Sequence, residues 1–320
     1  MPILLPTICL VVALALAGCG EDEGRAAGAS AVEVVATTTQ VADLARNVAG
    51  DRAAVTGLLA PNADPHDYEV RPRDVEVVAE AGLVLRSGGD LDEWLQEAIE
   101  GSGTEAPVVT LIDRVRTVEG GHAEGEDEHA GEDEHAEEGI DPHWWQDPRN
   151  AARAVGAIRD ALAAADPDGA AEYRANARAY TERLTRLDAA VRECLERVPA
   201  ARRKLVTTHD SLSYYARRYG IEVIGAVIPS LSTAGQPSAG GTAELVRTIR
   251  EQDVKAIFAE SSVDPKVEEA IAREAGARVG PALWADALGP GQSYLESIAA
   301  NTRALVDGFT GGAQACSLPS

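Results

Sequence analysis

Basic residues are scarce in this chain of 320 amino acids. It has 29 lysine and arginine residues against 52 aspartate and glutamate residues, so its formal net charge is −23 at pH 7. Ten of the acidic residues and no basic ones lie in 119–138, and the rest of the chain keeps a net charge of −13. Nucleic-acid binding needs clustered lysine and arginine opposite the phosphates. The composition therefore argues against nucleic acid as a partner and is compatible with cations as ligands.

Basic residues are also missing ahead of the apolar run Ile3–Gly18, where most signal peptides carry them. The run itself is short for a membrane-spanning helix and suits a signal-peptide core. It ends in Leu16-Ala17-Gly18-Cys19, which resembles the bacterial lipobox. We therefore predict a signal peptide over 1–18, lipidation of Cys19 and a flexible tether up to residue 31, with a plain cleaved signal as the alternative. The chain is expected to be exported and lipid-anchored at the outer face of the cell membrane, or in the periplasm.

Cysteine is rare, and the four cysteines do not have the spacing of a zinc site. Cys9 would leave with the signal peptide and Cys19 would carry lipid. Cys194 and Cys316 remain, and in an oxidising compartment they could pair. The sequence alone leaves open whether they form a disulfide or stay as two free thiols.

Strand-like and helix-like patterns alternate along the remaining chain, which predicts an α/β fold with mainly parallel sheets and flanking helices. The predicted strands are Val32–Ala36, Ala53–Leu59, Leu83–Ser87, Val108–Ile112, Lys204–Thr207, Glu222–Ala226, Ala256–Ala259 and Arg278–Gly280. The predicted helices are Gln40–Val48, Arg71–Ala81, Leu91–Ile99, Asn150–Ala164, Pro167–Val198, Leu212–Tyr219, Ala243–Glu251, Pro265–Ala275 and Tyr294–Gly308.

The helix predicted over Pro167–Val198 is longer than a typical helix of a single domain and has no glycine or proline beyond its first turn. The pattern thus predicts two similar lobes, at 32–165 and 200–311, joined by one backbone helix at 166–199 and followed by a tail at 312–320. A rigid helix of this kind would limit hinge motion between the lobes. Ligand release is then expected to need a small tilt or a local loop movement.

Histidine is also scarce, with six residues in the chain. Three of them, His66, His143 and His209, each lie in a short turn-forming or strand-ending motif. Neutral imidazole is a common zinc ligand, and the carboxyl end of a parallel strand, where His209 lies, is a usual place for ligands. Taken singly, each of the three could instead be an exposed turn, surface or helix-start residue. The remaining three histidines, His122, His129 and His135, share one acidic stretch.

Five motifs occur in the order seen in a known family. They are Asp64-Pro65-His66-Asp67-Tyr68-Glu69, Asp141-Pro142-His143-Trp144, Thr208-His209-Asp210, Phe258-Ala259-Glu260 with Asp264-Pro265-Lys266, and Ala285-Asp286-Ala287-Leu288-Gly289. With these motifs the chain resembles the zinc and manganese solute-binding proteins of bacterial ABC transporters, many of which are lipoproteins, from about Val32 to Phe309. The resemblance implies two α/β lobes bridged by a long helix, with the metal between them.

The same resemblance implies the metal ligands. His66 and His143 match the two histidines of the first lobe, and His209 and Asp286 match the second-lobe ligands. Manganese-type members have glutamate at the position of His209, so three histidines and one aspartate indicate Zn²⁺ as the transported ion. Asp286 could instead be a turn residue, with water in its place, and Glu260 is interpreted as a supporting residue. Copper or nickel could bind as tightly in vitro.

The segment at 119–139, with its repeated His-Ala and Gly-Glu-Asp-Glu units, contains no apolar residue larger than alanine between Gly120 and Glu138 and is predicted to be disordered. We interpret His122, His129 and His135 as weak auxiliary metal ligands that gather zinc near His143. A solvated acidic spacer without a role in transport is the competing interpretation.

The function indicated is capture of Zn²⁺ and its delivery to an ABC permease and the associated ATPase, by a protein expected to be monomeric. Alternatives are a manganese-type binding protein or a surface adhesin of the same family. A zinc hydrolase is disfavoured because the chain has no His-Glu-x-x-His or Gly-x-Ser-x-Gly motif, and because a fourth protein ligand would close the zinc shell. The affinity of a three-histidine site is expected to fall steeply below about pH 6.5, since imidazole must lose its proton to bind metal.

Overall fold

The computed structural model describes residues 32–120 and 139–319. The predicted signal peptide, the tether, Cys19 and the three histidines His122, His129 and His135 lie outside the described residues. No helix within the described ranges is both long enough and apolar enough to cross a membrane.

The first lobe is built on a parallel sheet with the strand order β2-β1-β3-β4. Its strands are β1 (Val32–Ala36), β2 (Ala53–Gly57), β3 (Leu83–Arg86) and β4 (Val108–Thr110), and its helices are α1 (Thr39–Ala49), α2 (Pro72–Ala79), α3 (Leu95–Ser102) and α4 (Pro148–Ala165). The two central strands, β1 and β3, contain continuous apolar runs that are buried, as expected for a parallel sheet covered on both faces.

The second lobe repeats this arrangement. Its strands are β5 (Lys204–Thr207), β6 (Glu222–Ala226), β7 (Ala256–Ile257) and β8 (Arg278–Val279), and its helices are α6 (Ser213–Tyr219), α7 (Ala239–Glu251), α8 (Lys266–Ala275) and α9 (Tyr294–Thr310). Strand β5 pairs with β6 and β7 pairs with β8, all in parallel. A parallel bridge between Thr207 and Phe258 joins the two pairs, so the order is β6-β5-β7-β8, the counterpart of the first lobe.

One long helix, α5 (Ala170–Glu196), lies between the two sheets along the chain. Its 27 residues span about 40 Å. It packs against α1 and α4 of the first lobe and against α9 of the second. A single hydrophobic cluster runs from Val34 in the first sheet through Tyr180 on α5 to Phe309 on α9. The lobes are therefore held on a common core rather than on a flexible linker.

The predicted α/β fold with two similar lobes and a backbone helix is confirmed. Strands β1, β5 and β6 have the predicted bounds. Most helices begin within three residues of the predicted position, whereas two begin four residues away from it. Helix α3 begins at Leu95 rather than Leu91, because the Asp92 carboxylate accepts hydrogen bonds from the main-chain N–H groups of Ser87 and Gly88 and holds that segment as a turn. Helix α7 begins four residues earlier than predicted, because the Ser238 side chain caps it.

The structure joins Cys194, on α5, to Cys316 in the C-terminal tail as a disulfide, with Cα atoms 5.8 Å apart. That separation lies in the usual range for disulfides. The bond closes a loop of 122 residues that includes the whole second lobe.

Candidate metal centre

Four side chains from both lobes meet at one point, although they are far apart in the sequence. His66 lies in the connection between β2 and α2, and His143 precedes the 3-10 turn Trp144–Gln146 that leads into α4. His209 follows β5, and Asp286 lies between β8 and α9. The His66 and His209 connections leave the carboxyl ends of parallel strands, where ligands usually bind in α/β sheets. The structure thus brings together all four residues that the sequence indicated.

The ligand atoms of these four side chains lie within 4.8 Å of one another, and four of their separations suit one small cation. The Nε2 atoms of His143 and His209 are 3.3 Å apart, and each lies 3.4 Å from an Asp286 oxygen. His66 Nε2 lies 3.6 Å from Asp286 Oδ2. A tetrahedron with metal–ligand bonds of about 2.0–2.1 Å has edges of about 3.3–3.4 Å. These four groups could therefore hold a single tetrahedral ion after only small shifts.

The rings of His143 and His209 are each held by a carboxylate on the side away from the cluster. His143 Nδ1 lies 2.7 Å from Asp141 Oδ1, and His209 Nδ1 lies 2.8 Å from Glu260 Oε1. With the Nδ1 hydrogen donated to a carboxylate, the Nε2 lone pair of a neutral ring points into the cluster. Carboxylate–histidine pairs of this kind fix the tautomer and increase the basicity of a metal-binding imidazole.

Two Asp-Pro-His turns place two of the histidines. In both turns the first-position aspartate accepts a hydrogen bond from the main-chain N–H of the histidine, at 2.9 Å for Asp64 and His66 and at 2.9 Å for Asp141 and His143. The proline between them fixes the backbone angle φ. The two turns differ in one respect, because Asp141 also contacts the ring of its own histidine whereas Asp64 accepts a hydrogen bond from Thr233 of the second lobe.

Asp286 is buried and both of its carboxylate oxygens lack a hydrogen-bond partner among the described residues, as does His66 Nε2. A buried carboxylate without partners is unfavourable unless a cation compensates its charge. These orphaned atoms face each other within the same cluster. The donor set is therefore that of a cation site rather than of a neutral hydrogen-bond network.

Electrostatics within the cluster favour protons on two of the imidazoles when no metal is bound. Burial opposes the charged form of His143, but the carboxylates of Asp141 and Asp286 outweigh burial and raise the pKa of His143 to about 10. The pKa of His209 is raised in the same way, against burial, by Glu260 and Asp286. Burial lowers the pKa of His66 to about 4, because the attraction of Asp286 is too weak to offset it.

The charge of Asp286 is maintained by the same imidazoles. Burial would raise its pKa, but His209 and His143 hold that pKa well below its usual range. The metal-free site is thus a buried carboxylate beside two protonated imidazoles, those of His143 and His209. A metal ion would replace those protons.

The segment that carries Asp286 is hydrogen-bonded to the first lobe. Trp145 Nε1 and Gln146 Nε2 each donate to the carbonyl oxygen of Ala285 at 2.9 Å. The Tyr294 hydroxyl donates to the carbonyl oxygen of Trp145 at 2.6 Å. Trp145 therefore joins the two lobes and holds Ala285, the residue before Asp286, in place.

Sequence reasoning found the cluster but missed most of its supporting contacts. The sequence placed Asp141 in a motif but indicated no role for it. Nor did it indicate the hydrogen bond from Thr233 to Asp64. Glu260, interpreted as a supporting residue, contacts the His209 ring. The repeated Asp-Pro-His tripeptide was the available signal for Asp141, since it placed the same acidic residue before both first-lobe histidines.

Comparison with known proteins identifies relatives over most of the chain. The sequence model of the family described as periplasmic zinc-uptake complex component A (ZnuA) matches residues 34–308. The manganese-binding lipoprotein MntA of Halalkalibacterium halodurans is 29% identical over 308 residues, covering 95% of this chain and 97% of that protein. The iron-binding protein YfeA of Yersinia pestis is 33% identical over 284 residues, covering 87% and 86%.

Among solved structures, the periplasmic zinc-binding protein TroA of Treponema pallidum superposes with a TM-score of 0.76 at 29% sequence identity. The match covers 87% of this chain and 99% of that one. The names of these three relatives refer to three different metals, manganese, iron and zinc.

Proposed function

Because the chain belongs to the family of the periplasmic zinc-uptake complex component A, we propose that its cargo is Zn²⁺, which it captures between its lobes and delivers to a cognate permease and ATPase. Whichever metal it carries, the chain is a metal-binding solute-binding protein of an ABC transporter and not an enzyme. It acts outside the cytoplasm, in line with the periplasmic description of the family.

One observation carries the choice of zinc. Three imidazole nitrogens and one carboxylate lie within 4.8 Å of one another, and four of their separations are 3.3 to 3.6 Å, close to the edges of a zinc tetrahedron. Two of the imidazoles are held by carboxylates at Nδ1, an arrangement that suits zinc-binding histidines. Nitrogen-rich shells favour zinc over manganese, which prefers oxygen ligands. We therefore propose His66, His143, His209 and Asp286 as the ligands.

A different observation favours manganese as the second candidate. Asp286 directs Oδ1 towards His143 and Oδ2 towards His66 and His209, so both oxygens could bind the same ion. Two oxygens would give a shell of five ligands, with a larger share of oxygen than a zinc tetrahedron has. Two relatives similar in sequence over most of the chain are named as manganese-binding lipoproteins. The two candidates therefore differ in the relative affinities for zinc and manganese, which a competition titration measures.

We further propose that the chain is held at the membrane by lipid on Cys19 and that His122, His129 and His135 gather zinc for the main site. The support for the second proposal is local. The residues on either side of this segment pair as a short antiparallel bridge between Glu119 and Ile140, where the Gly120 main-chain N–H donates to the carbonyl oxygen of Gly139 at 2.7 Å. Two residues after that glycine comes Asp141, the partner of His143.

The segment can be deleted without disturbing the residues on either side of it, because Gly120 and Gly139 are already hydrogen-bonded to each other. Joining them removes residues 121–138 and should leave one tight metal site. If this deletion changes neither the total number of bound zinc ions nor uptake at scarce zinc, the acidic segment is a spacer and the gathering role is wrong.

Metal uptake by cells tests the main proposal. Cells that lack the native gene receive either the native chain or the His143→Ala variant, and their uptake of radioactive zinc and manganese is measured from a metal-poor medium. The proposal predicts zinc uptake with the native chain and its loss with the variant, at equal amounts of protein. Restored manganese uptake without zinc uptake would identify the second candidate instead.

A further inference from the structure

The hydrogen bond between Asp64 and Thr233 crosses the cleft beside the cluster. Thr233 Oγ donates to Asp64 Oδ2 at 2.7 Å, and the two residues are 169 positions apart in the sequence. Asp64 belongs to the first lobe and Thr233 to the second. Both side chains are partly buried, and a hydrogen bond to an ionised carboxylate is stronger than one between neutral groups.

Asp64 connects this bond directly to His66. Its other oxygen, Oδ1, accepts from the main-chain N–H of His66 at 2.9 Å. In the second Asp-Pro-His turn the corresponding aspartate, Asp141, uses its side chain on the ring of its own histidine. Asp64 instead accepts its second hydrogen bond from the opposite lobe, so the position of the His66 turn depends on a cross-lobe contact.

Thr233 is similarly connected to His209. It lies in the connection between β6 and α7, and that connection is hydrogen-bonded to the segment around His209. Ile228 N donates to the carbonyl oxygen of Thr208 at 2.8 Å, and Asp210 N donates to the carbonyl oxygen of Ser230 at 3.0 Å. A path of hydrogen bonds and short main-chain stretches therefore links His66 through Asp64 and Thr233 to the residues on either side of His209, beside the metal site.

The turn with His66 is the part of the site best suited to move. Its ring is placed through the main chain and the turn, whereas the rings of His143 and His209 are held by buried carboxylates. The same connection makes two further hydrogen bonds to the other lobe, both from Asn62: its main-chain N–H donates to the carbonyl oxygen of Leu288 at 2.9 Å, and its side-chain Nδ2 donates to the carbonyl oxygen of Ser261 at 3.2 Å. Asn62 is exposed and has φ of +60°, a conformation that asparagine tolerates.

We propose that the Asp64–Thr233 hydrogen bond is a clamp that sets how slowly the metal leaves, a proposal that rests on the metal-binding function above. The backbone helix α5 and the shared core restrict hinge motion, so release proceeds through detachment of the His66 turn from the second lobe. Asp64 and Thr233 are positioning residues that do not touch the ion. Their bond slows dissociation and has little effect on association, because it forms after the ion has joined the two lobes.

The test separates dissociation from association. The whole protein, solubilised in detergent and loaded with zinc, is mixed with excess chelator, and the slow phase of zinc release is timed for the native chain, Thr233→Val and Thr233→Ser. Valine has the shape of threonine without the donor, and serine keeps the donor. Thr248→Val, on α7, is the matched control. The association rate is measured separately with a fluorescent zinc buffer.

The clamp predicts that Thr233→Val releases zinc about five to ten times faster than the native chain, while still binding one slowly released ion. Thr233→Ser and Thr248→Val should release it at close to the native rate, and all four association rates should agree within about twofold. A Thr233→Val rate equal to that of Thr248→Val, a serine variant as fast as the valine variant, or an effect confined to association would overturn the clamp. A native chain without any slowly released ion would instead overturn the proposed function.

Discussion

The Nε2 atoms of His143 and His209 face each other at 3.3 Å, while the Nδ1 atom of each ring contacts a buried carboxylate. If both rings were neutral with their Nδ1 hydrogens donated outward, two lone pairs would point at each other. Either a proton or a metal ion between the rings removes this conflict. The same geometry that binds metal therefore binds protons in its absence, and the two compete.

Metal binding should release protons over a higher pH range than the sequence alone suggested. With the pKa of His143 raised to about 10 and that of His209 also raised, the metal-free site holds protons at neutral pH, and each bound ion must displace them. The apparent affinity for the metal should therefore rise steadily from pH 6 towards pH 9. The sequence alone indicated a rise only up to about pH 6.5. Calorimetry in buffers of different ionisation enthalpy measures the protons released at pH 7.5. A value of zero, with affinity constant from pH 6 to 9, would contradict these pKa directions.

Glu260→Gln should weaken metal binding without unfolding the protein. The substitution keeps the shape of the side chain but removes the charge that holds His209 at Nδ1. Loss of such a partner commonly lowers metal affinity about 10- to 100-fold. Asp264→Asn is the control, because Asp264 is an exposed carboxylate that pairs with Lys266. Equal zinc affinities for the two variants, measured by competition with a chelator, would show that Glu260 has no role in the site.

Two glycine substitutions should have opposite effects on stability. A Cβ atom at Gly308, in α9, would lie 2.1 Å from Cζ of the buried Phe258, so Gly308→Ala should lower the free energy of unfolding by about 1–3 kcal/mol. A Cβ atom at Gly156, inside α4, would meet nothing within 4 Å, so Gly156→Ala should raise the free energy of unfolding by about 0.5–1 kcal/mol. Urea unfolding measures both, and a destabilising effect of Gly156→Ala would be inconsistent with this packing.

The disulfide should contribute stability but not metal binding. The double variant Cys194→Ser with Cys316→Ser opens a loop of 122 residues and should lower the free energy of unfolding by about 2–4 kcal/mol. Zinc affinity should stay within about twofold of the native value, since neither cysteine belongs to the cluster of ligands. Thermal unfolding of the metal-free protein, followed by zinc titration, measures both quantities. A large loss of zinc affinity would mean that the tail supports the cleft.

The sequence predicted the fold well wherever local pattern decides it. Strands β1, β5 and β6 match because their apolar runs are bounded by turns, and the long helix was visible from its uninterrupted pattern. The start of α3 was wrong because the Asp92 carboxylate, rather than helical propensity, determines the backbone there. The structure brings the four candidate ligands together, since each stood in a recognisable motif. The Asp64–Thr233 bond joins residues 169 positions apart, and neither carries a local signal of that pairing.

The most direct test is a competitive titration with zinc and manganese. Residues 32–320, with 121–138 deleted and metal removed by chelator, would be titrated as the native sequence and as His209→Ala. The account predicts one tightly bound zinc ion, much weaker manganese, and a loss of zinc affinity of more than 100-fold in the variant. Tight manganese with weak zinc, or zinc binding that is indifferent to His209, would contradict the proposed zinc site between the lobes.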